Sequence, residues 1–331
     1  MMSGTDSVKT MTKYLVGLDI GGTKCAITLA CGDKEIPKII DKVKFPTEQN
    51  APSAVLERFI TELDNILDDK KLSYSDVAGI GISCGGPLDS SRGIVLSPPN
   101  LPGWDRICVC DFFEKRTGIK CYLQNDANAC AVAEWKYGAG RGYDNMVFLT
   151  FGTGLGAGMI LNGRLHRGAN DMAGEIGHVR LRADGPIGYG KRGSAEGFCS
   201  GGGIRQLGIA AFEESVKKGE KNALCRACEG DPERITAKMI GDLAKEGDGL
   251  CLAIYRRSAQ MLGQTIAILC DVVDPDVVVI GGIYMRSASL IEAELLRVLK
   301  EESLVPCKIL PAALGEQVGD YAALSVAMGE F

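Results

Sequence analysis

The stretch Tyr14-Leu15-Val16-Gly17-Leu18-Asp19-Ile20-Gly21-Gly22-Thr23-Lys24-Cys25-Ala26-Ile27-Thr28-Leu29-Ala30 decides the fold. An apolar run, Tyr14 to Leu18, reaches an acidic residue and two glycines, and a second apolar run, Cys25 to Ala30, follows. That pattern reads as strand, tight turn, strand. It recurs at Met146 to Phe151, the turn Gly152-Thr153-Gly154-Leu155-Gly156, and the returning strand Ala157 to Leu161. A strand–glycine turn–strand hairpin therefore opens each half of the chain. This duplication predicts two similar lobes facing a cleft.

The remaining segments alternate between helix and strand. Val55, Leu56, Phe59, Ile60, Leu63, Ile66 and Leu67 follow helical spacing and mark one amphipathic helix. A strand at Val77 to Ser83 ends in Gly85-Gly86-Pro87. A helix near Val109 to Thr117 leads to a strand at Cys121 to Gln124. Asn125-Asp126 then precedes an alanine-rich helix, Ala127 to Tyr137. Later come a long helix, Asp248 to Val272, and a buried strand, Val277 to Ile280, ending in Gly281-Gly282. A helix near Leu290 to Leu299, a strand at Cys307 to Leu310 and a helix near Tyr321 to Met328 complete the order. Ala183 to Gly203 reads as the longest loop. Strands alternating with helices predict an α/β protein with mixed sheets.

Composition narrows the function classes. The chain has 331 residues, 46% hydrophobic and 24% charged, which fits a globular chain of about two domains. The net charge of −5 gives no electrostatic footprint for nucleic acid. No apolar run reaches the ~20 residues of a membrane-spanning helix. Met1 to Lys13 lacks the apolar core of a secretory signal. The thirteen cysteines are odd in number and scattered, which suits small buried hydrophobes in a reducing compartment, hence the cytoplasm. Cys225 and Cys228 have C-x-x-C spacing, which is half a zinc site at most.

A glycine turn between strands lets backbone N–H groups approach an anion, and two such turns suit a polyphosphate. Asp19 at the first turn is a candidate Mg²⁺ ligand, and Lys24 adds positive charge nearby. Each turn alone is equally an ordinary hairpin; the pair is the specific signal. No G-x-x-x-x-G-K-[ST] occurs. The single G-x-G-x-x-G, at Gly188, Gly190 and Gly193, follows a polar stretch rather than a strand, so it is no dinucleotide fingerprint. Asp126 is the candidate general base for phosphoryl transfer to an alcohol, although Asp before an Ala-rich helix is also an ordinary N-cap. Glu175 and His178, three apart, suit adjacent hydroxyls that both donate and accept; a buried histidine with a local partner is the plainer alternative.

These motifs resemble those of the ROK family (repressor, open reading frame, kinase), its sugar kinases in particular. The resemblance runs from Tyr14 to Met328. It rests on Leu18-Asp19-Ile20-Gly21-Gly22-Thr23-Lys24 and on Gly81 to Asp89 with Pro99-Asn100-Leu101-Pro102-Gly103-Trp104. Asn125-Asp126-Ala127-Asn128-Ala129 with Glu134, Gly152 to Gly158, Ala173 to His178, and Asp274-Pro275 through Gly281-Gly282 complete it. The resemblance implies an actin/hexokinase-like (ribonuclease H-like) duplicated two-lobe fold with a central cleft. Residues 1–124 with 312–331 would form the small lobe and 125–311 the large one. It implies ATP and Mg²⁺ as cofactors, held by Asp19, Gly21, Gly22, Thr23 and Lys24 on one hairpin. Gly152, Thr153 and Gly154 would serve on the other, with Gly281 and Gly282 near adenosine. Gly86, Asn100, Asn125, Glu175, His178 and Glu196 would line the sugar, with Asp126 as base. The implied reaction is γ-phosphate transfer to the 6-hydroxyl of a hexose, glucose first. An N-acetylhexosamine kinase and a non-catalytic sugar sensor or transcriptional regulator are the alternatives. The family also implies a homo-oligomer, dimer or tetramer. The short segment before the first strand has no helix pair to serve as a DNA-binding domain.

One departure from the family pattern stands out. Many ROK members carry zinc on the histidine of Gly-His and on three cysteines of C-x-C-G-x-x-G-C. Counted back from Glu196, those three positions are Ile187, Tyr189 and Ser194. No zinc site is expected at this loop, which must instead be held by packing through Tyr189 and Phe198. A hidden zinc site built from Cys225, Cys228 and His178 is conceivable, the plainer reading of Cys225 and Cys228 being an ordinary polar insertion between helices.

Overall fold

The computed structural model describes residues 13–32 and 36–329. The expectation that no DNA-binding helix pair precedes the first strand concerns residues outside this description. The chain divides into two compact units. One runs to Ala129 and resumes at Gln317; the other is Cys130–Glu316.

The first unit is built on β1 (Tyr14–Ile20), β2 (Lys24–Cys31) and β3 (Lys38–Pro46). α1 (Pro52–Lys70) and β4 (Val77–Cys84) follow. A small sheet comes next, β5 (Leu88–Asp89), β6 (Ile94–Val95) and β7 (Ile107–Cys108), then α2 (Val109–Thr117) and β8 (Cys121–Asn125). The main sheet has the order β3-β2-β1-β4-β8. β1 and β2 are antiparallel, with Leu18 opposite Ile27 and Asp19 opposite Ala26. β1, β4 and β8 run parallel. All seven periodic apolar residues of α1 are buried. Each contributes about 1.5–3 kcal/mol of transfer free energy when fully buried. Lys71, in the left-handed region at φ 56°, ends that helix.

α3 (Asp126–Tyr137) carries the chain into the second unit. There follow β9 (Met146–Phe151), β10 (Leu155–Leu161) and β11 (Arg164–Leu165). A short hairpin is formed by β12 (Ile187–Gly188) and β13 (Lys191–Arg192). The helices α4 (Ala195–Phe198), α5 (Gly201–Lys217), α6 (Ala223–Ala227), α7 (Ala237–Lys245) and α8 (Gly249–Val273) come next. β14 (Val277–Ile280), α9 (Ile283–Glu302) and β15 (Lys308–Pro311) close the unit. Its sheet order is β11-β10-β9-β14-β15, the same plan as the first, with an antiparallel β9–β10 hairpin and parallel β14 and β15. The duplication read from the two hairpins therefore extends through two five-stranded sheets. Among the described residues no helix is long and apolar enough to cross a membrane.

α10 (Val318–Val326) returns to the first unit and lies against β1 and β4. Gly81 permits this closeness, because a Cβ there would run into the Ala323 carbonyl.

Several elements differ from the sequence expectation. β3 is an edge strand whose lysines break the apolar pattern, as edge strands commonly do. α5 begins Gly201-Gly202-Gly203, the weakest helix formers apart from proline, and starts because Ser200 caps the Gly203 N–H at 2.9 Å. α9 starts at Ile283 rather than near Leu290, since a break at Ser287 (φ −132°, ψ 21°) interrupts its period. The 183–203 stretch is not a plain loop but holds β12, β13 and α4. The chain passes from the first unit to the second after Ala129, within continuous α3. Ala129 is retained by Ser325 of α10, whose hydroxyl donates to its carbonyl at 3.3 Å.

Candidate active site

In the first unit a cavity of about 110 Å³ gathers Asp19, Gly21, Gly22, Gly86, Asn100 and Asp126. Six sequence-derived site residues from four separate stretches of chain thus meet at one place. Asp19 is the penultimate residue of β1, so the strand rather than the turn aims it. β4 ends beside it and supplies Gly86 after its last residue. The Asn100 backbone packs against Gly22, where any Cβ would collide with the Asn100 carbonyl. Asn125 lies outside the cavity lining, with its amide nitrogen next to Gly86. Thr23 and Lys24 are exposed and also lie outside that lining.

The turn is fixed from behind by residues the sequence reading passed over. The Thr47 hydroxyl donates to the Gly21 carbonyl at 2.6 Å, and the Thr47 N–H to Thr23 at 3.0 Å. The Gln49 amide donates to Gly22 at 2.6 Å. Thr47 and Gln49 follow β3, so overlooking that strand also hid them.

Asp126 opens α3, and Asn125 precedes it. The Asn125 Oδ1 accepts the Ala127 N–H at 2.9 Å, and the Asp126 Oδ1 accepts the same N–H at 2.8 Å. Asn125 thus takes the capping place, and Asp126 keeps a carboxylate whose tip is accessible from the cavity. The protein crowded around that carboxylate pushes its pKa above the usual range, against two backbone N–H groups that lower it. Asp19 is pushed up to about 6, first by burial, then by the charges of Asp126 and Asp320, with Lys42 and Lys24 opposing. Asp320 of α10 is buried, ion-paired with Lys42, and accepts the Thr28 hydroxyl at 3.4 Å.

In the second unit a larger cavity, about 750 Å³, is lined by Gly152 and Thr153 of the second glycine turn. Arg205, Tyr255, Arg286 and Ser287 also line it, and none of these was singled out in the sequence. The break in α9 at Ser287 explains the last two, because it divides the helix beside the cavity. Gly154, Gly281 and Gly282 are outside the lining. Gly282 is the residue before α9, with φ 69°, and a Cβ there would collide with the Phe151 carbonyl.

The same unit holds the remaining candidates. The Gly174 carbonyl accepts the Ala157 N–H at 3.1 Å, laying the Ala173–His178 segment against β10. Glu175 precedes a single 3-10 turn and His178 is its last residue, and both are exposed. Glu196, in α4, accepts the Leu155 N–H on its Oε2 at 3.1 Å. It therefore rests on the second glycine turn.

Residues 15–329 match the model of the ROK family. The chain belongs to the ROK family. It is 34% identical over 279 residues to the glucokinase of Thermotoga maritima, covering 84% of each chain. It is 30% identical over 295 residues to the N-acetylmannosamine kinase of Yersinia pestis, covering 88% of this chain and 89% of that one. Among solved structures it is similar to a ROK family glucokinase from Streptomyces griseus in complex with glucose and AMPPNP. That likeness has a TM-score of 0.75 at 27% identity and covers 96% of this chain and 99% of the other. The ROK fold is the actin/hexokinase-like one, and the paired mixed sheets described above agree with it.

This ROK chain closes its 180–198 loop with hydrogen bonds rather than thiolates. β12 and β13 pair Ile187 with Arg192 and Gly188 with Lys191. Gln206 of α5 clasps Ile187 from both sides, accepting its N–H at 2.9 Å and donating to its carbonyl at 2.8 Å. Ser194 is buried, and its Oγ caps α4 by accepting the Gly197 N–H at 3.1 Å. Phe198 packs over Gly185, as the expected packing requires. Tyr189 meets the His178 ring edge-on at 6.1 Å, yet it is 67% exposed, so hydrogen bonds carry more of the load than that ring does. Among the described residues no group of three metal-ligating side chains is gathered. Cys228 lies in the hydrophobic core with its thiol directed to the Cys225 carbonyl at 3.6 Å.

Proposed function

We propose that this chain transfers the γ-phosphate of ATP to the 6-hydroxyl of glucose, with Asp126 as the general base. The observation that carries the reading is the convergence of Asp19, Asp126, Gly86 and Asn100 on one cavity beside the first glycine turn. The glucokinase relatives support glucose as the acceptor.

The Asp126 carboxylate takes the proton of the attacking hydroxyl, the oxygen forms a bond to the γ-phosphorus, and ADP leaves. A pKa raised above the ordinary carboxylate range suits a base that works near neutral pH. Asn100, Asn125 and Gly86 orient the sugar, and Glu175, His178 and Glu196 supply further acceptors and donors for its hydroxyls. The glycine turns around Gly21-Gly22 and Thr153-Gly154, with Thr23 and Lys24, receive donor phosphates. The cavity beside Thr153 has room for a nucleoside, with Gly281 and Gly282 positioning the start of α9 next to it.

Mg²⁺ fits at Asp19. The pKa of about 6 comes first from burial and then from the negative charges of Asp126 and Asp320, and a hard cation beside Asp19 would offset that charge. When bound it would neutralise phosphate charge.

An N-acetylhexosamine acceptor is the second reading, favoured by the N-acetylmannosamine kinase relative. The full set of thirteen free thiols suits a reducing compartment, and we place the protein in the cytoplasm as a dimer or tetramer, which sedimentation analysis tests.

ADP release with ATP and Mg²⁺ across glucose, N-acetylglucosamine, N-acetylmannosamine, mannose, fructose and allose tests the function. Glucose should dominate. Dominance of an N-acetylhexosamine selects the second reading. Silence across the panel, with sugars still raising the melting temperature, identifies a sugar sensor and overturns both.

A further inference from the structure

Glu196, proposed above as a sugar ligand, occupies an unexpected position for that task. Its stem is confined between two glycines. A Cβ at Gly188 would lie 2.7 Å from the Glu196 Cβ, and one at Gly177 would lie 3.3 Å from it. The carboxylate extends over the second glycine turn instead. Its Oε2 accepts the Leu155 N–H at 3.1 Å and would lie 2.7 Å from a Cβ at Gly154. Leu155 is the first residue of β10, so its N–H belongs to the same turn as Thr153 and Gly154. A backbone N–H there is what a donor phosphate would use. One negative charge already sits on that donor.

We infer that Glu196 makes donor binding depend on the acceptor: without sugar its carboxylate occupies the phosphate turn, and a sugar hydroxyl draws it away. The inference rests on the kinase reading and adds an order of events to it. A carboxylate on the turn competes with phosphate for the Leu155 N–H and repels phosphate charge. Drawing it towards a hydroxyl frees the N–H and removes the repulsion. Sugar then binds before nucleotide, and ATP is spared from hydrolysis while the acceptor is absent. Linkage makes the effect reciprocal, so bound nucleotide must tighten sugar binding by the same factor.

The test is titration calorimetry of the imido analogue of ATP with Mg²⁺, with and without glucose, on the wild type, Glu196→Gln and Glu214→Gln. In the wild type glucose should tighten nucleotide binding about tenfold, within the ~5–150-fold range usual for coupled sites. Glu196→Gln should bind nucleotide about tenfold more tightly than the wild type in the absence of sugar, and glucose should then change little. Glu214→Gln removes a carboxylate charge from the exposed face of α5, where it pairs with Lys218, so its sugar-free nucleotide affinity should equal that of the wild type. A gain of affinity is not what a merely structural defect produces. Glu196→Asp, whose shorter stem cannot reach Leu155, gives the same readout if the Gln variant does not fold. Unchanged or weaker sugar-free nucleotide binding in the Glu196 variants overturns the inference and leaves the kinase reading standing. Absence of nucleotide binding in every protein, with or without glucose, overturns both.

Discussion

Asp19 and Asp126 line the same cavity, and the charge of Asp126 is the second cause, after burial, of the raised Asp19 pKa of about 6. Their proximity gives each carboxylate its suggested task. One is placed to meet a cation, the other is kept basic enough to take a proton.

Asp126→Asn should lower kcat by at least ~10², the usual range for loss of a general base, while glucose affinity changes little. The amide retains the shape and the Oδ1 that accepts the Ala127 N–H. Steady-state kinetics with calorimetric sugar binding checks this. Loss of sugar affinity equal to the loss of kcat would make Asp126 a structural residue.

Asp19→Asn should stabilise the fold, and the gain should depend on pH. A carboxyl whose folded pKa lies above its unfolded value favours the folded state below about 3.8 and loses that advantage as pH rises through about 6. Ionised Asp19 therefore burdens the folded protein at pH 8, by at most about 3 kcal/mol for a shift of this size. The variant should melt higher than the wild type at pH 8, and the difference should shrink below pH 6 and be small at pH 4. A difference that grows on acidification would contradict the assignment of the raised pKa to Asp19. The same variant should lose Mg²⁺-dependent turnover.

Much of this arrangement was legible in the residues. Asp19, Gly21, Gly22, Gly86, Asn100 and Asp126 come from motifs at strand ends, where loop chemistry is visible in residue type. Thr47 and Gln49 were not legible, because a threonine and a glutamine after a lysine-rich edge strand carry no pattern. Arg286 and Ser287 were hidden for a different reason. A broken helix has no single period, and the break is what brings them to the cavity. Gln206 shows a third kind of loss. Its clasp on Ile187 joins residues nineteen apart in the chain through backbone groups, which no side-chain pattern announces.

Glu134→Ala should destabilise the protein strongly. The wholly buried Glu134 carboxylate accepts three backbone N–H groups, from Ala139 at 2.8 Å, Ala313 at 3.1 Å and Leu314 at 2.9 Å. It fastens α3 to the segment after β15. Truncation leaves those donors without a partner away from water, a loss of about 3 kcal/mol or more. The melting temperature should fall by about 6 °C or more. Glu134→Gln, which keeps one acceptor oxygen, should fall between the two. A Glu134→Ala protein that melts with the wild type would show that water replaces the carboxylate.

Exhaustive dialysis against a strong chelator should leave both the melting temperature and glucose affinity unchanged when measured without ATP. The 180–198 loop offers Ile187, Tyr189 and Ser194 where many ROK proteins have cysteines, and Ser194 already spends its buried hydroxyl on the Gly197 N–H. The loop's order comes from the β12–β13 hairpin and from Gln206 instead. Gln206→Ala should therefore weaken this loop where chelation does not. Two hydrogen bonds to Ile187 are lost, worth about 1 kcal/mol each. The hairpin beside His178 loosens, and KM for glucose rises several-fold with little change in kcat. Elemental analysis of protein purified in metal-free buffer completes the test. A stoichiometric zinc content, together with loss of glucose affinity on chelation, would overturn the account of this loop.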